Sequence, residues 1–116
     1  MHQIFQVPLE TEFLEELGVE PTRSDDGDTF TLNLSETTGE PLSLTASEAA
    51  RSVRIIWDTG RSRTIDIYRE GATYMRLSSR DSRTVIVIGF SLGGTQGELK
   101  LQVFPHIEIS DQQLFT

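Results

Sequence analysis

Asp58 is the residue whose surroundings most resemble a chemical site. It stands in Ile55-Ile56-Trp57-Asp58-Thr59-Gly60, where an apolar run ends in a turn-like tripeptide. A carboxylate placed there can work as acid or base if a second carboxylate shares its proton. The histidines, His2 and His106, have no histidine partner two, three or four positions away. His106 and Glu108 would share one strand face, but a zinc site needs a third protein ligand. Asp25, Asp26 and Asp28 have the density of calcium ligands, yet the closing glutamate of a calcium loop is missing. Gly93-Gly94-Thr95-Gln96-Gly97 lacks the Gly-Lys-Ser/Thr ending of a phosphate loop and reads as a hairpin loop. No nucleophile-elbow pattern occurs. The absence of cysteine excludes thiolate nucleophiles, disulfides and thiolate metal sites. The reading is therefore no catalytic residue, no metal and no cofactor.

The Asp58 segment resembles the active-site loop of retropepsin-like aspartic proteases. Ile86-Val87-Ile88-Gly89 is similar to the apolar strand that packs under that loop, and the chain length suits a homodimer. The resemblance implies one Asp58 from each of two subunits sharing a proton. Three features depart from the family. Arg61 stands where a small residue is usual, Trp57 is bulky beside a loop that must meet its twin, and Asp58 and Gly89 are closer in sequence than a flap-bearing segment allows. Asp and Gly are also what an ordinary β-turn uses. Asp58 is read here as a turn residue in a non-enzymatic chain. A homodimeric protease using Asp58 and a small-ligand-binding β domain are the alternatives.

Charge is distributed unevenly. Residues 1–50 carry eleven acids and one arginine, a net −10, while residues 51–83 carry eight arginines and four acids, a net +4. The last third is −2 and the whole chain −8. Such a surface repels nucleic-acid phosphates and steers a basic protein toward it. The arginines from Arg51 to Arg83 interleave with Trp57, Tyr68 and Tyr74, and are expected to pair with Asp58, Asp66, Glu70, Asp81 or the acidic half.

The elements that position these groups are mostly strands. The 116 residues amount to one domain, 1–116. Residues 1–7 fit an edge strand stopped by Pro8. Thr11 is placed to cap a short helix ending at Gly18, with Phe13, Leu14 and Leu17 on one face and Glu12, Glu15 and Glu16 on the other. Residues 19–28 form a loop. Thr29 to Leu34 alternates, with Phe30, Leu32 and Leu34 inward, and pairs across a turn at residues 38–41 with Leu42-Ser43-Leu44. Thr45-Ala46-Ser47-Glu48 fits a capping box that opens a helical turn or, alternatively, a loop. Strands follow at 52–57, 63–68, 73–77, 84–90, around Leu99 to Val103, and at Ile107 to Ile109. Thr84 to Phe90, nearly all apolar, is the expected centre of a sheet. The fold class is mainly β (α+β): an antiparallel meander sheet, sandwich or partly open barrel of about 6–8 strands with one short N-terminal helix.

Composition and motif content together resemble a protein-binding module, most specifically an immunity or antitoxin-type inhibitor that covers a basic toxin such as a nuclease. Its expected docking face is acidic: Glu12, Glu15 and Glu16 on the helix, with Asp25, Asp26 and Asp28 in the following loop. No signal peptide and no run of about 20 apolar residues is present, so a bacterial, cytoplasmic setting without a membrane is expected.

Overall fold

The computed structural model describes residues 4–115, the last two as backbone alone. Period-two alternation produces strands from Thr29 onward. In β2 (Thr29–Asn33) and just after it, Phe30, Leu32 and Leu34 are fully buried while Thr31 and Asn33 face outward. β1 (Thr22–Arg23), β2, β3 (Leu42–Ser47), β4 (Ser52–Asp58) and β5 (Thr64–Glu70) form an antiparallel sheet in that order. β6 (Ala72–Arg80), β7 (Arg83–Leu92), β8 (Thr95–Phe104) and β9 (Glu108–Phe115) form a second. Each sheet is a meander of sequence neighbours, and neither closes into a barrel. Nine strands are present among the described residues. The two-residue β1 lies in the stretch read as a loop, too short to show as alternation.

The inner rows of the two sheets form one core, in which Phe30, Leu44 and Ile55 join Ile86, Ile88 and Leu101, all fully buried. β7 lies inside the second sheet between β6 and β8, as its apolar run predicts. The chain passes from β5 to β6 through Gly71 alone, at φ +88°. A Cβ at Gly71 would come within 2.9 Å of the Leu92 Cβ, so the corner requires glycine. The amides of Gly71 and Ala72 both donate to the Arg51 carbonyl, and the Ser91 amide donates to Gly71. These bonds tie the start of β4 to the end of β7.

α1 (Glu10–Leu17) forms where its apolar stripe predicts, but its cap is Leu9 rather than Thr11. The Glu12 carboxylate accepts the Leu9 amide at 3.2 Å, which supplies the cap from inside the helix. Phe13 and Leu17 are buried, and Phe13 packs on Phe30 with ring centroids 5.5 Å apart. Leu14, expected on that face, is 48% exposed. Gly18 closes the helix in the left-handed region at φ 70°.

α2 (Ser35–Thr38) is a single turn within the β2–β3 hairpin. Thr45, Ala46 and Ser47 belong to β3, so no helix begins there. The bonds of β3 to both neighbours outweigh a local capping pattern, and the Ser47 hydroxyl serves the next turn by accepting the Ala50 amide. Of the predicted edge strand at 1–7, residues 1–3 lie outside the described residues. In the remainder Gln6 makes a single parallel bridge to Tyr74.

Candidate functional site

The two acidic segments predicted to form a docking face are joined through an arginine. Arg23 of β1 pairs with Glu10 of α1 at 3.1 Å and with Glu48, in the β3–β4 turn, at 3.3 Å, and donates to the Gly27 carbonyl. This brings the start of α1, the turn between β1 and β2 and the turn after β3 to one place. Glu12, Glu15 and Glu16 remain exposed on α1. Glu12 is engaged in capping, Glu16 accepts the Ser79 hydroxyl of β6 at 2.6 Å, and Glu15 points to solvent. The arginine that relieves the acidic helix therefore serves Glu10, at the rim, and the outward glutamates have no cation partner among the described residues.

In the β1–β2 turn the aspartates also hold structure. Asp26 accepts the Ser24 hydroxyl at 2.6 Å and the Asp28 amide at 3.0 Å. The Ser24 hydrogen bond, and next that amide, hold the Asp26 carboxyl below the usual carboxylate range. Asp28 accepts the Ser47 hydroxyl at 2.9 Å and the Ala49 amide at 2.7 Å. Asp25 is exposed. These bonds fix the Asp26 and Asp28 carboxylates in place, which suits a preorganised electrostatic surface.

The arginines divide into two groups. Arg54 pairs with Asp66 at 2.6 Å on the outer face of the first sheet. This mutual hydrogen bond raises the Arg54 pKa and lowers that of Asp66. Arg76 lies 3.9 Å from Glu98, and Arg69 pairs with Asp111 while stacking 4.2 Å from the Phe90 ring centroid. Arg61, Arg63, Arg80 and Arg83, by contrast, have no side-chain partner among the described residues. The expected pairing with Asp58, Glu70 and Asp81 is therefore not what forms. Three of the arginines find Asp66, Glu98 and Asp111, and four remain free at the β4–β5 and β6–β7 turns.

Asp58 sits at the end of β4 and is exposed. Its Oδ1 accepts the Gly60 amide at 2.9 Å, the local bond by which aspartate organises a turn. Ile86–Gly89 belongs to β7 in the other sheet. Gly89 has a packing reason of its own, because the Tyr74 ring lies over it and a Cβ would fall 2.0 Å from that ring. The Tyr74 hydroxyl donates to Glu98 at 2.8 Å; burial first, and then this bond, push its pKa up. His106 is exposed, 3.6 Å from Glu108, and His2 lies outside the described residues. Among the described residues no group of three or more His, Asp or Glu could hold a metal ion, and no helix is long and apolar enough to cross a membrane.

Two surface grooves of about 490 and 510 Å³ lie at opposite ends of β5. One is lined by Tyr68, Arg69 and Glu70 with Phe90 and Leu92. The other is lined by Trp57, Arg61, Arg63 and Ile65 with Glu40, which accepts the Trp57 indole N–H at 3.3 Å. The sequence predicts this strand, at 63–68, but not its place at a sheet edge. Its signal was Arg69, a charge in the inward row after Ile65 and Ile67, which is a mark of a sheet edge.

The fold has a solved counterpart. The chain is similar to a chain of a contact-dependent growth inhibition toxin–immunity protein complex from Klebsiella pneumoniae 342, with a TM-score of 0.81. The likeness spans 97% of this chain and all of the other, at 14% sequence identity. At that identity the shared property is the fold. No family model and no curated protein matches the sequence.

Proposed function

We propose that this chain is an immunity-type inhibitor, a non-enzymatic protein that binds a cognate toxin and blocks it in the bacterial cytoplasm. The observation that carries this reading is the end-to-end likeness of fold to a chain of a toxin–immunity complex. The charge layout supports the inhibitor over the toxin as this chain's counterpart. Of the eleven acids in the first fifty residues, Glu10, Glu12, Glu15, Glu16, Asp25, Asp26, Asp28 and Glu48 lie on α1 and on the turns beside it. A toxin that handles nucleic acid carries a basic contact surface, and an acidic protein docked there would block it. Glu12, Glu15 and Glu16, with Asp25, Asp26 and Asp28, are the docking face in this reading.

Exposed charges of this kind act mainly on encounter, over about 10 Å at 0.1 M salt. The test is co-expression with the toxin encoded beside this chain's gene, followed by association kinetics at low and high salt. Growth should be restored, and association should be slower at high salt and for the triple variant Glu12→Gln, Glu15→Gln, Glu16→Gln. Failure to restore growth would overturn the inhibitor reading. Salt-independent association, or an unaltered on-rate in the triple variant, would move the docking face elsewhere.

A further inference from the structure

The sheet edges are not equally open. β1 has two residues, too few to template a strand. The outer edge of β6 is bonded at its start, because the Gln6 amide donates to Thr73 and the Met75 amide donates to Gln6. β9 has eight residues and pairs with β8 alone, but beside its edge it exposes Glu108, Ser110, Asp111, Gln112 and Gln113, with no apolar row to bury among its described side chains. β5 offers seven residues, pairs with β4 alone and carries the half-buried Ile65 and Ile67.

The bonds that bracket β5 reveal which of its groups are free. Thr59 donates to the Arg63 carbonyl and Gly71 donates to the Arg51 carbonyl, so the odd-numbered residues between them exchange bonds with β4. By the antiparallel alternation, the amides and carbonyls of Thr64, Asp66, Tyr68 and Glu70 point away from the sheet. β5 contains no proline, bulge or lysine that would blunt this row. Its one inward charge, Arg69, is matched by Asp111 and folded onto Phe90.

Resting on the inhibitor reading, we infer that the toxin, beyond its electrostatic encounter with the acidic face, adds an extended strand to the first sheet along β5, the edge opposite β1. Main-chain bonds to Thr64, Asp66, Tyr68 and Glu70 supply the pairing, and the side chains beside them supply selectivity. The half-buried Ile65 and Ile67 gain cover from the added strand, and its inward side chains enter the grooves at either end. The outer face offers Ile56 and Tyr68, 37% and 56% exposed, as apolar contacts. Charge sets the orientation. Arg61 and Arg63, unpaired at one end, call for carboxylates on the toxin strand, and Glu70 at the other end calls for a cation.

Hydrogen exchange on the intact chain, free and bound to the toxin encoded beside it, tests this. Amides of Asp66 and Tyr68 should exchange freely in the unbound protein and slow by at least about tenfold in the complex. Arg61→Glu with Arg63→Glu, changes confined to an exposed turn, should weaken binding without altering the melting curve. If the complex forms and those amides still exchange freely, the strand-addition inference falls while the inhibitor reading stands. The same protection in the concentrated free chain, with a dimer by sedimentation, would assign the edge to a second copy and overturn the inference. If no complex forms, both fall.

Discussion

β7 has a bonded neighbour on each side and buries Ile86, Val87, Ile88 and Phe90, whereas β5 has one neighbour and leaves Ile65 and Ile67 half covered. The two strands contribute in different ways. Ile86 and Ile88 fill the space between the sheets, and Val87 is buried on the outer face in register with Arg76 and Lys100. Ile67 of β5 reaches the same core from its margin. Apolar side chains of one type can therefore serve stability in the interior of a sheet and remain available to a partner at its edge.

The largest effect is expected at the centre. Ile86→Ala or Ile88→Ala should cost about 2–4 kcal/mol in chemical denaturation, as for fully packed aliphatic sites. Losses under about 1 kcal/mol at both positions would erase the contrast with β5. Ile67→Ala should cost about 1 kcal/mol, because a half-buried side chain has less area to lose and leaves an opening that solvent can fill. A loss there equal to that of Ile88→Ala would mean that the edge is as tightly packed as the centre.

A pH effect smaller than the central losses belongs beside β7, where Tyr74 covers Gly89. The Tyr74 pKa is raised in the folded state above the ordinary value of 10.0. Its contribution is fully present below that value and is lost as pH rises through the folded pKa. Denaturation midpoints should therefore fall in the alkaline range, and Tyr74→Phe should flatten the fall. An identical alkaline profile in the variant would assign the effect to other groups. The smallest effect belongs to the exposed pair on β5: Asp66→Asn should leave the denaturation midpoint within error, since such pairs are solvent-screened. A clear loss would make the outer face of β5 structurally important.

Much of the architecture was legible because period-two alternation is strong from Phe30 to Val103 and turn residues punctuate it. The helix was legible from Phe13 and Leu17, but its cap was not. Capping by Glu12 on a Leu9 amide leaves no serine or threonine signature, and the Thr45-to-Glu48 pattern mimicked one at the end of a strand. The acidic segments could be named from charge alone. That Arg23 gathers Glu10 and Glu48, while Asp26 and Asp28 organise turns, depends on contacts between residues far apart in sequence. The edge position of β5 was the least visible. A meander leaves strand order free until the chain switches sheets, and the switch is one glycine whose role rests on where Leu92 lies.

That single-residue switch divides the chain in time as well as in space. Residues 22–70 make up one sheet and residues 72–115 the other. Synthesis proceeds at about 5–20 residues per second, so the first sheet can pair its strands seconds before β7 and β8 are complete. During that interval Leu32, Leu44, Val53 and Ile55 line a finished sheet that still lacks the second sheet, with α1 covering Phe30 through Phe13. Strand pairing between sequence neighbours keeps loop closure inexpensive and folding fast for a β protein. The hazard at birth is thus an uncovered apolar face rather than slow pairing, and chaperone capture of the nascent chain would fall in the seconds after Gly71 leaves the ribosome.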